Sequence, residues 1–419
     1  MGFGSSGGED CILEIVDLAF KGLGVGKASG KVYFVPFAVP GDRVIVGIQK
    51  DFGSYGFGMP LKFLRLSDDR INPPCPQFER CGGCQLQHLP YEIQISWKKK
   101  WITDHLRRIG GIAETDVRDV VASPLQFEYR NKASVHIAEH EMGFLERSSS
   151  RVIDVPRCLL LDSLVHEGYD AVRIWNARRS RAGGIRRVLI RSGENQQGIV
   201  VVHDPGVTDG ELAELRTMLP HFIVDRGGSR RTVRHLIRDA DFEVDAEAFF
   251  QVNGSFHESM TELIADRVGS GELLIDAHAG VGWPSLCLSH AFRRIEAMDI
   301  SRRSISLANK NSIKSDIHNT IFHRGTLHSL VSGGRIRTSP DCLLCDPPRR
   351  GIDVKDMKAI QRLHPRRIVY ISCDPATLAR DAGKLVRHGY KMNSIIPMDL
   401  FPQTFHIETI ALFTTGAEK

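Results

Sequence analysis

The residues of this chain best suited to chemistry are cysteines in Pro- and Gly-rich loops and carboxylates that end apolar runs. Cys75, Cys81 and Cys84 follow the pattern Cys-x5-Cys-x2-Cys, and Cys158, far along the chain, is the candidate fourth thiolate. Four soft sulfur ligands suit either zinc or an iron–sulfur cluster, and spacing alone does not choose between them. Three unrelated buried cysteines would need an apolar periodicity that this loop lacks. A radical-forming cluster would need Cys-x3-Cys-x2-Cys, whereas five residues fill the first gap here. Nine cysteines in an intracellular chain of 419 residues argue for ligands, a nucleophile or small buried side chains rather than a disulfide framework.

A second group of motifs lies in the C-terminal half. Leu273-Leu-Ile-Asp-Ala-His278-Ala-Gly280-Val-Gly282 reads as a strand entering a glycine turn, where backbone can approach a nucleotide-like ligand at the carboxyl end of a sheet. Asp299 ends the next strand, either as a ribose-binding carboxylate or as a plain helix cap. In Cys342-Leu-Leu-Cys345-Asp346-Pro-Pro-Arg349 the paired cysteines sit within an apolar strand and read as structural, while the prolines fix Asp346 on extended backbone. Tyr370-Ile-Ser-Cys373-Asp-Pro brings a thiol to the same edge of the sheet. Taken alone, Cys373 reads equally as a buried thiol; the adjoining Ser and Pro favour the edge.

A thiolate at such an edge can add to an electron-poor ring. Attack on carbon 6 of a uracil makes carbon 5 nucleophilic enough to accept a methyl group. Loss of the carbon 5 proton then requires a base, and Glu408 in His406-Ile-Glu is the candidate.

These residues need elements to hold them. From Cys11 to about Arg70, short alternating apolar runs broken by glycine predict a small β-barrel, closed off by Asn72-Pro-Pro-Cys-Pro. Ile93, Trp97, Trp101, Ile102 and Leu106 have helical spacing, and Gly110-Gly111 ends that helix. Between about Val120 and Asp245, runs such as Ala133–Ala138 and Gly198–His203 predict a mostly antiparallel β domain. Beyond Gln251, apolar strands alternate with helical stretches, the grammar of a Rossmann-like doubly wound α/β sheet. The fold class expected is therefore multi-domain α/β, with an OB-like barrel first and an α/β catalytic domain last.

Composition is that of an ordinary soluble protein: hydrophobic residues make up 42% and charged residues 25% of the chain. No window reaches a membrane-spanning length. Residues 1–10 are Gly/Ser-rich and acidic, unlike a signal peptide, and are expected to be a disordered lead-in to a cytoplasmic protein. A net charge of +5 permits a polyanionic partner without requiring one.

In order, Cys75-x5-Cys-Gly-Gly-Cys-Gln-Leu-Gln-His88, Phe249-Phe-Gln251-Val-Asn253, Asp346-Pro-Pro-Arg, Ser372-Cys-Asp-Pro-Ala-Thr-Leu-Ala-Arg-Asp381 and His406-Ile-Glu resemble the RNA 5-methyluridine methyltransferase family. The resemblance covers nearly the whole chain. It is closest to the iron–sulfur branch acting on 23S ribosomal RNA, because Ile12 to Arg70 resembles that branch's TRAM barrel. The resemblance implies a class I enzyme using S-adenosylmethionine, with Cys373 as nucleophile and Glu408 as base. It implies a [4Fe-4S] cluster on Cys75, Cys81, Cys84 and Cys158, and so favours iron over zinc. It places Gln251, His278, Gly280, Gly282, Asp299 and Asp346 around the cofactor and active site. The domains it implies are a TRAM barrel over 11–70, an iron–sulfur and central β domain over 71–89 with 120–247, and a methyltransferase domain over 90–119 with 248–419. The expected partner is RNA with a flipped uridine, handled by a monomer.

The chain departs from the family pattern in the cofactor loop. His278-Ala279-Gly280 stands where an aromatic residue and Cys-Gly are usual, Trp283 where Thr or Asn is usual, Asp299 where Glu is usual and Thr326 where an Asp or Asn meets the adenine. Candidate phosphate contacts are Lys98-Lys-Lys100, Arg178-Arg-Ser-Arg181, Arg186-Arg187 and the loop Arg226 to Arg234. Most charge runs are solvated faces, and the lysines are read as either; the Arg-rich loops, beside an RNA-binding-like barrel, are read as RNA contacts. Competing readings are an RNA-binding iron–sulfur protein that has lost catalysis, a transfer-RNA uridine methyltransferase, and a DNA cytosine methyltransferase, which would need a Pro-Cys pair at its nucleophile, where Ser372 precedes Cys373 here.

Overall fold

A computed structural model describes residues 10–138, 141–179 and 186–416. Residues 1–9 of the expected lead-in and the Ser180-Arg181 part of one basic run lie outside the described residues, while Asp10, also assigned to the lead-in, already belongs to the first strand.

Five strands close the expected barrel: β1 (Asp10–Ala19), β2 (Leu23–Ala28), β3 (Lys31–Pro36), β4 (Arg43–Asp51) and β5 (Tyr55–Arg65), in the order β1-β2-β3-β5-β4. Their alternation buries Leu13, Ile15, Val35, Val44 and Val46 inside. Helix α1 (Tyr91–His105) follows and continues as a π-turn over Leu106–Gly110, stopped by Gly111 at φ 67°.

The middle of the chain is mostly antiparallel, as expected, but it also carries helices and one parallel pair that were not. A six-stranded sheet, ordered β11-β10-β9-β6-β7-β8, contains β6 (Lys132–Ala138), β7 (Glu141–Leu145), β8 (Val152–Asp154), β9 (Arg186–Ser192), β10 (Gly198–His203) and β11 (Phe222–Arg226). It is covered by two helices, α2 (Ser163–Ala177) and α3 (Asp209–Met218), that the strand reading passed over. Because α3 crosses between β10 and β11, that pair is parallel, while the other pairs of the sheet are antiparallel. The helix signal was present: Thr208 and Glu211 form a capping box, and Val165, Tyr169, Val172 and Trp175 line one helical face. A hairpin of β12 (Thr232–Ile237) and β13 (Ala240–Asp245) then leads into the last sheet.

That sheet has seven strands, ordered β16-β15-β14-β17-β18-β20-β19. In chain order its elements are α4 (His257–Val268), β14 (Gly271–Asp276), β15 (Phe292–Asp299), α5 (Arg302–Lys314), β16 (Thr320–Arg324), α6 (Leu327–Ser332), β17 (Cys342–Cys345), α7 (Val354–Leu363), β18 (Arg367–Ser372), α8 (Pro375–Arg387), β19 (Tyr390–Met398) and β20 (Glu408–Thr415). The strands from β14 to β18 run parallel and β20 returns antiparallel. Both faces are packed, one under α4 and the β12–β13 hairpin and the other under α7, α8 and the π-turn, which explains why the central strands are apolar throughout. The approach of the π-turn to α8 depends on glycine. A Cβ at Gly383 would lie 2.6 Å from the Gly110 oxygen, and one at Gly110 would lie 2.9 Å from the Ala379 oxygen.

Candidate active site and cysteine cluster

In a parallel sheet the carboxyl ends of the strands form one edge, and polar residues that stop apolar runs collect there. Asp276 ends β14, Asp299 ends β15, Asp346 follows β17 and Cys373 follows β18. Because β20 is antiparallel, its first residue, Glu408, lies at this same edge. Ser372 pairs with Thr409, so the next step in register sets Cys373 opposite Glu408. The turn after Cys373 is held locally: Asp374 caps α8 by accepting hydrogen bonds from Ala376 N at 3.0 Å and Thr377 N at 2.9 Å.

Burial dominates the electrostatics. Asp346 is pushed up to about 7 by desolvation and by Asp276, and Asp276 is pushed up to about 7 by desolvation, partly offset by hydrogen bonds from Ser285 and the His278 N–H. Desolvation and Asp346 raise Glu408 well above the carboxylate range, and its Oε1 is buried with no partner. Cys373 is pushed up to about 12, first by desolvation, then by Glu408 and Asp346. Arg349 opposes both shifts, and its guanidinium lies 3.1 Å from His406 Nε2. At rest burial therefore favours the neutral forms of the Cys373 thiol and the Glu408 carboxyl. The reading from sequence gave no role to Asp276, Arg349 or His406, although the first ends a strand before the glycine turn and the others sit within quoted motifs.

The cofactor loop is also assembled. Asp299 accepts from Gly280 N at 3.2 Å and from Ser301 N at 2.7 Å, while the cap of α5 is Ser301 itself. Asp299 thus ties the glycine turn to β15 rather than capping a helix. Gly280 has φ 55°, and a Cβ built there would meet nothing within 4 Å, so its surface is open; Gly282, at φ 103°, completes the turn. His278 is kept neutral by burial, at about 4, and its Nδ1 is buried without a partner. Gln251 is buried nearby in sequence to Asn253, which reaches the Leu400 oxygen at 3.1 Å. An open glycine turn, a carboxylate held beside it and an unpartnered imidazole nitrogen fit a nucleoside cofactor. Trp283 turns away, packing against Phe250 and His257 and donating to Thr261 Oγ1 at 2.9 Å. Thr326 caps α6.

Cys75, Cys81, Cys84 and Cys158 are free thiols close enough to act electrostatically on one another. Burial raises Cys81 and Cys84, and pushes Cys158 up to about 11. Among the described residues no three His, Cys, Asp or Glu side chains converge on a single-ion site. Four thiols in one neighbourhood are a donor set that could hold a soft metal. The loop is pinned on two sides, by Gly82 N on the Leu145 oxygen and by Gln85 N and Leu86 N on the Gln403 oxygen, each at 3.0 Å. Cys342 and Cys345 are buried in β17, as a structural pair would be, and carry no disulfide.

The basic runs fare differently. Lys98 is fully buried on Asp399 at 2.6 Å, Lys99 pairs with Asp119 and Lys100 with Asp17 and Asp104. This run binds the protein to itself. Arg178 pairs with Glu214, Arg179 with Asp204 and Glu211, Arg186 with Asp204, Arg226 with Asp209 and Arg234 with Asp241. Arg187, Arg230 and Arg231 remain exposed. Among the described residues no helix is long and apolar enough to cross a membrane.

Comparison with known proteins places this geometry in a family. The family profile for tRNA (uracil-5-)-methyltransferases matches residues 222–331 and 337–415, which include the whole catalytic edge. An uncharacterized RNA methyltransferase of Halalkalibacterium halodurans is 32% identical over 95% of both chains, and one of Gloeobacter violaceus is 31% identical over 96% of both. The fold matches that of a Pyrococcus abyssi tRNA (uracil-54, C5)-methyltransferase solved with S-adenosyl-L-homocysteine, with a TM-score of 0.77, 24% identity and coverage of 96% of this chain and 99% of that one. The chain belongs to the RNA methyltransferases, carries a tRNA (uracil-5-)-methyltransferase family domain over residues 222–331 and 337–415, and is S-adenosylmethionine-dependent.

Proposed function

We propose that the chain methylates carbon 5 of a uridine in RNA, with Cys373 adding to carbon 6 and Glu408 removing the carbon 5 proton. The observation that carries this is the register across β18 and β20, which sets the thiol and a partnerless buried carboxyl opposite each other beside Asp346. Cys373 must lose its proton to attack. The Cys373 sulfur bonds to carbon 6 and electrons move to the uracil oxygen 4, which lets carbon 5 take the methyl group. S-adenosylmethionine, when bound, supplies that methyl as an electrophile. Glu408 accepts the carbon 5 proton as the sulfur–carbon bond breaks, restoring the thiolate and the aromatic ring. Gln251, His278, Gly280, Gly282 and Asp299 hold the cofactor. Asp346 orients the base, and Arg349 holds Cys373 and Glu408 nearer their charged forms.

The substrate we favour is 23S ribosomal RNA, with the barrel acting as a TRAM module and the four cysteines holding a [4Fe-4S] cluster. Cys75, Cys81, Cys84 and Cys158 would each supply one thiolate to such a cluster, whose four irons take four cysteine ligands. The cluster's place is structural: its loop grips Gln403, five residues before Glu408. The protein then works in the cytoplasm as a monomer, on the domain boundaries given above. Transfer RNA is the second reading, favoured by the description of the matching family profile. Tritium release from RNA labelled at uridine carbon 5, run with ribosomal and transfer RNA side by side, tests both. We expect release from ribosomal RNA; release from neither would end the assignment.

A further inference from the structure

Away from Cys373, between the end of β9, strand β12 and the start of α4, lies a cavity of about 400 Å³ lined by Asn131, Glu194, His235, Leu236, Gly254 and His257 among others. Besides the carboxylates of Glu194 and Glu258, its lining holds neutral polar groups with unused capacity. His257 Nε2 lies 3.1 Å from the Gln251 oxygen and so must donate to it, which leaves Nδ1 as an acceptor. Asn131 Nδ2 donates to the same oxygen at 3.2 Å, and its Oδ1 is buried with no partner. His235 is only 5% exposed, and its Nε2 has no partner either. Burial keeps both imidazoles uncharged: His257 is lowered to about 4, and His235, with Arg191 beside it, lies well below the usual histidine range. Buried polar atoms left unpaired are costly, and two of them, Asn131 Oδ1 and His235 Nε2, belong to residues that line this one cavity, which calls for an occupant.

The shape of that occupant follows from the walls. Phe250 underlies both imidazoles, with ring centroids 5.0 Å from His235 and 4.9 Å from His257, and Leu236, half exposed, gives an apolar lip. With His235 in its Nε2–H tautomer, a flat ring is called for, with an amino group to donate to Asn131 Oδ1 or His257 Nδ1 and, beside it, an unprotonated ring nitrogen to accept from His235 Nε2. Adenine and cytosine have that edge, whereas uracil and guanine present a ring N–H there. The exposed Arg230 and Arg231 stand at the head of the strand that carries His235, where they can meet phosphate. We propose that this cavity is a second base pocket, which takes an unstacked adenine or cytosine of the substrate RNA while the target uridine occupies the site at Cys373. The proposal rests on the reading of the chain as an enzyme acting on RNA.

Dimethyl sulfate reacts with adenine N1 and cytosine N3 only where that edge is free, so it reports the pocket directly. Complexes are formed with ribosomal and transfer RNA transcripts. The unaltered protein is expected to protect an adenine or cytosine in an unpaired segment. Gly254→Leu fills the cavity: a Cβ there meets Asn131 Nδ2 only at 3.7 Å and His257 Cε1 at 3.9 Å. This variant should lose the protection and bind RNA about tenfold or more weakly, with S-adenosylmethionine binding unchanged. His235→Phe keeps the ring and its packing while deleting Nε2, should lose the same protection, and serves if Gly254→Leu does not fold. An unchanged footprint and affinity in the folded variants would overturn the pocket and leave the RNA reading standing. Absence of RNA binding by the unaltered protein would overturn both.

Discussion

Cys373 pushed up to about 12 and Glu408 raised by burial set the direction of the enzyme's pH response. Both act in their basic forms, so kcat/KM should climb as pH rises from 6 to 9. Arg349 favours both basic forms, and Arg349→Gln should displace that climb to higher pH; an unmoved profile would remove Arg349 from the mechanism. Stability should move the other way. Asp276 has a folded pKa near 7, above its unfolded value near 3.8, so its contribution is complete below about 4 and is lost as pH rises through 7. Glu408→Gln should still let Cys373 add to the ring but should stall proton loss, leaving an RNA–protein adduct that survives denaturation, seen as a retarded band on a denaturing gel. The place of Cys373 at the sheet's edge was legible in the sequence because a polar side chain ending an apolar run has one place to go in a parallel sheet, whereas Asp276 and Arg349 were given no role. Lys98 was not legible: its partner Asp399 is 301 residues away, and nothing local distinguishes a buried lysine from a solvated one.

At the level of elements, the catalytic turn is positioned from behind. Helix α8 starts directly after Cys373 and rests on the π-turn at the end of α1, where Gly383 and Gly110 bring two backbones together. Any side chain at 383 must push the Gly110 carbonyl from its 2.6 Å approach. Gly383→Val should therefore destabilise the protein by about 1–3 kcal/mol, the usual range for overpacking, and reduce turnover more than cofactor binding. Equal melting temperatures for variant and parent would contradict this packing. The sequence foretold α1 and its Gly110-Gly111 stop but not the contact, since a tolerated helix glycine such as Gly383 signals close approach only when the neighbour is known. The missed helices α2 and α3 teach a related lesson. Their strand-like neighbours β9 and β10 are so apolar that the alternation drew attention from the Thr208–Glu211 capping box and the α2 stripe.

For the whole molecule, the segment from Asp399 to His406 is where the parts meet. Lys98 of α1 reaches Asp399 and the Phe401 oxygen, Gln94 of α1 bonds to Gln403, and the cysteine loop bonds to Gln403 from the other side. Trp101 of the same helix donates to the Leu18 oxygen of the barrel at 2.7 Å. The barrel, the cysteine loop and the catalytic edge are thus joined through one helix and one turn that runs on to Glu408. The Lys98–Asp399 pair is fully buried, so removing one partner strands a charge: Lys98→Met should cost about 3–5 kcal/mol. Replacing both, as Lys98→Met with Asp399→Leu, should recover most of that loss, because a buried pair and a well-packed apolar pair differ little in net stability. Chemical denaturation measures both. Activity separates the two roles of the pair: if it also fixes the turn, the double variant regains stability but stays slow, with KM for S-adenosylmethionine unaltered. Full recovery of rate along with stability would reduce the pair to a filler of space, and would leave the direct bonds from Gln94 and the cysteine loop to Gln403 as what holds Glu408 in register with Cys373.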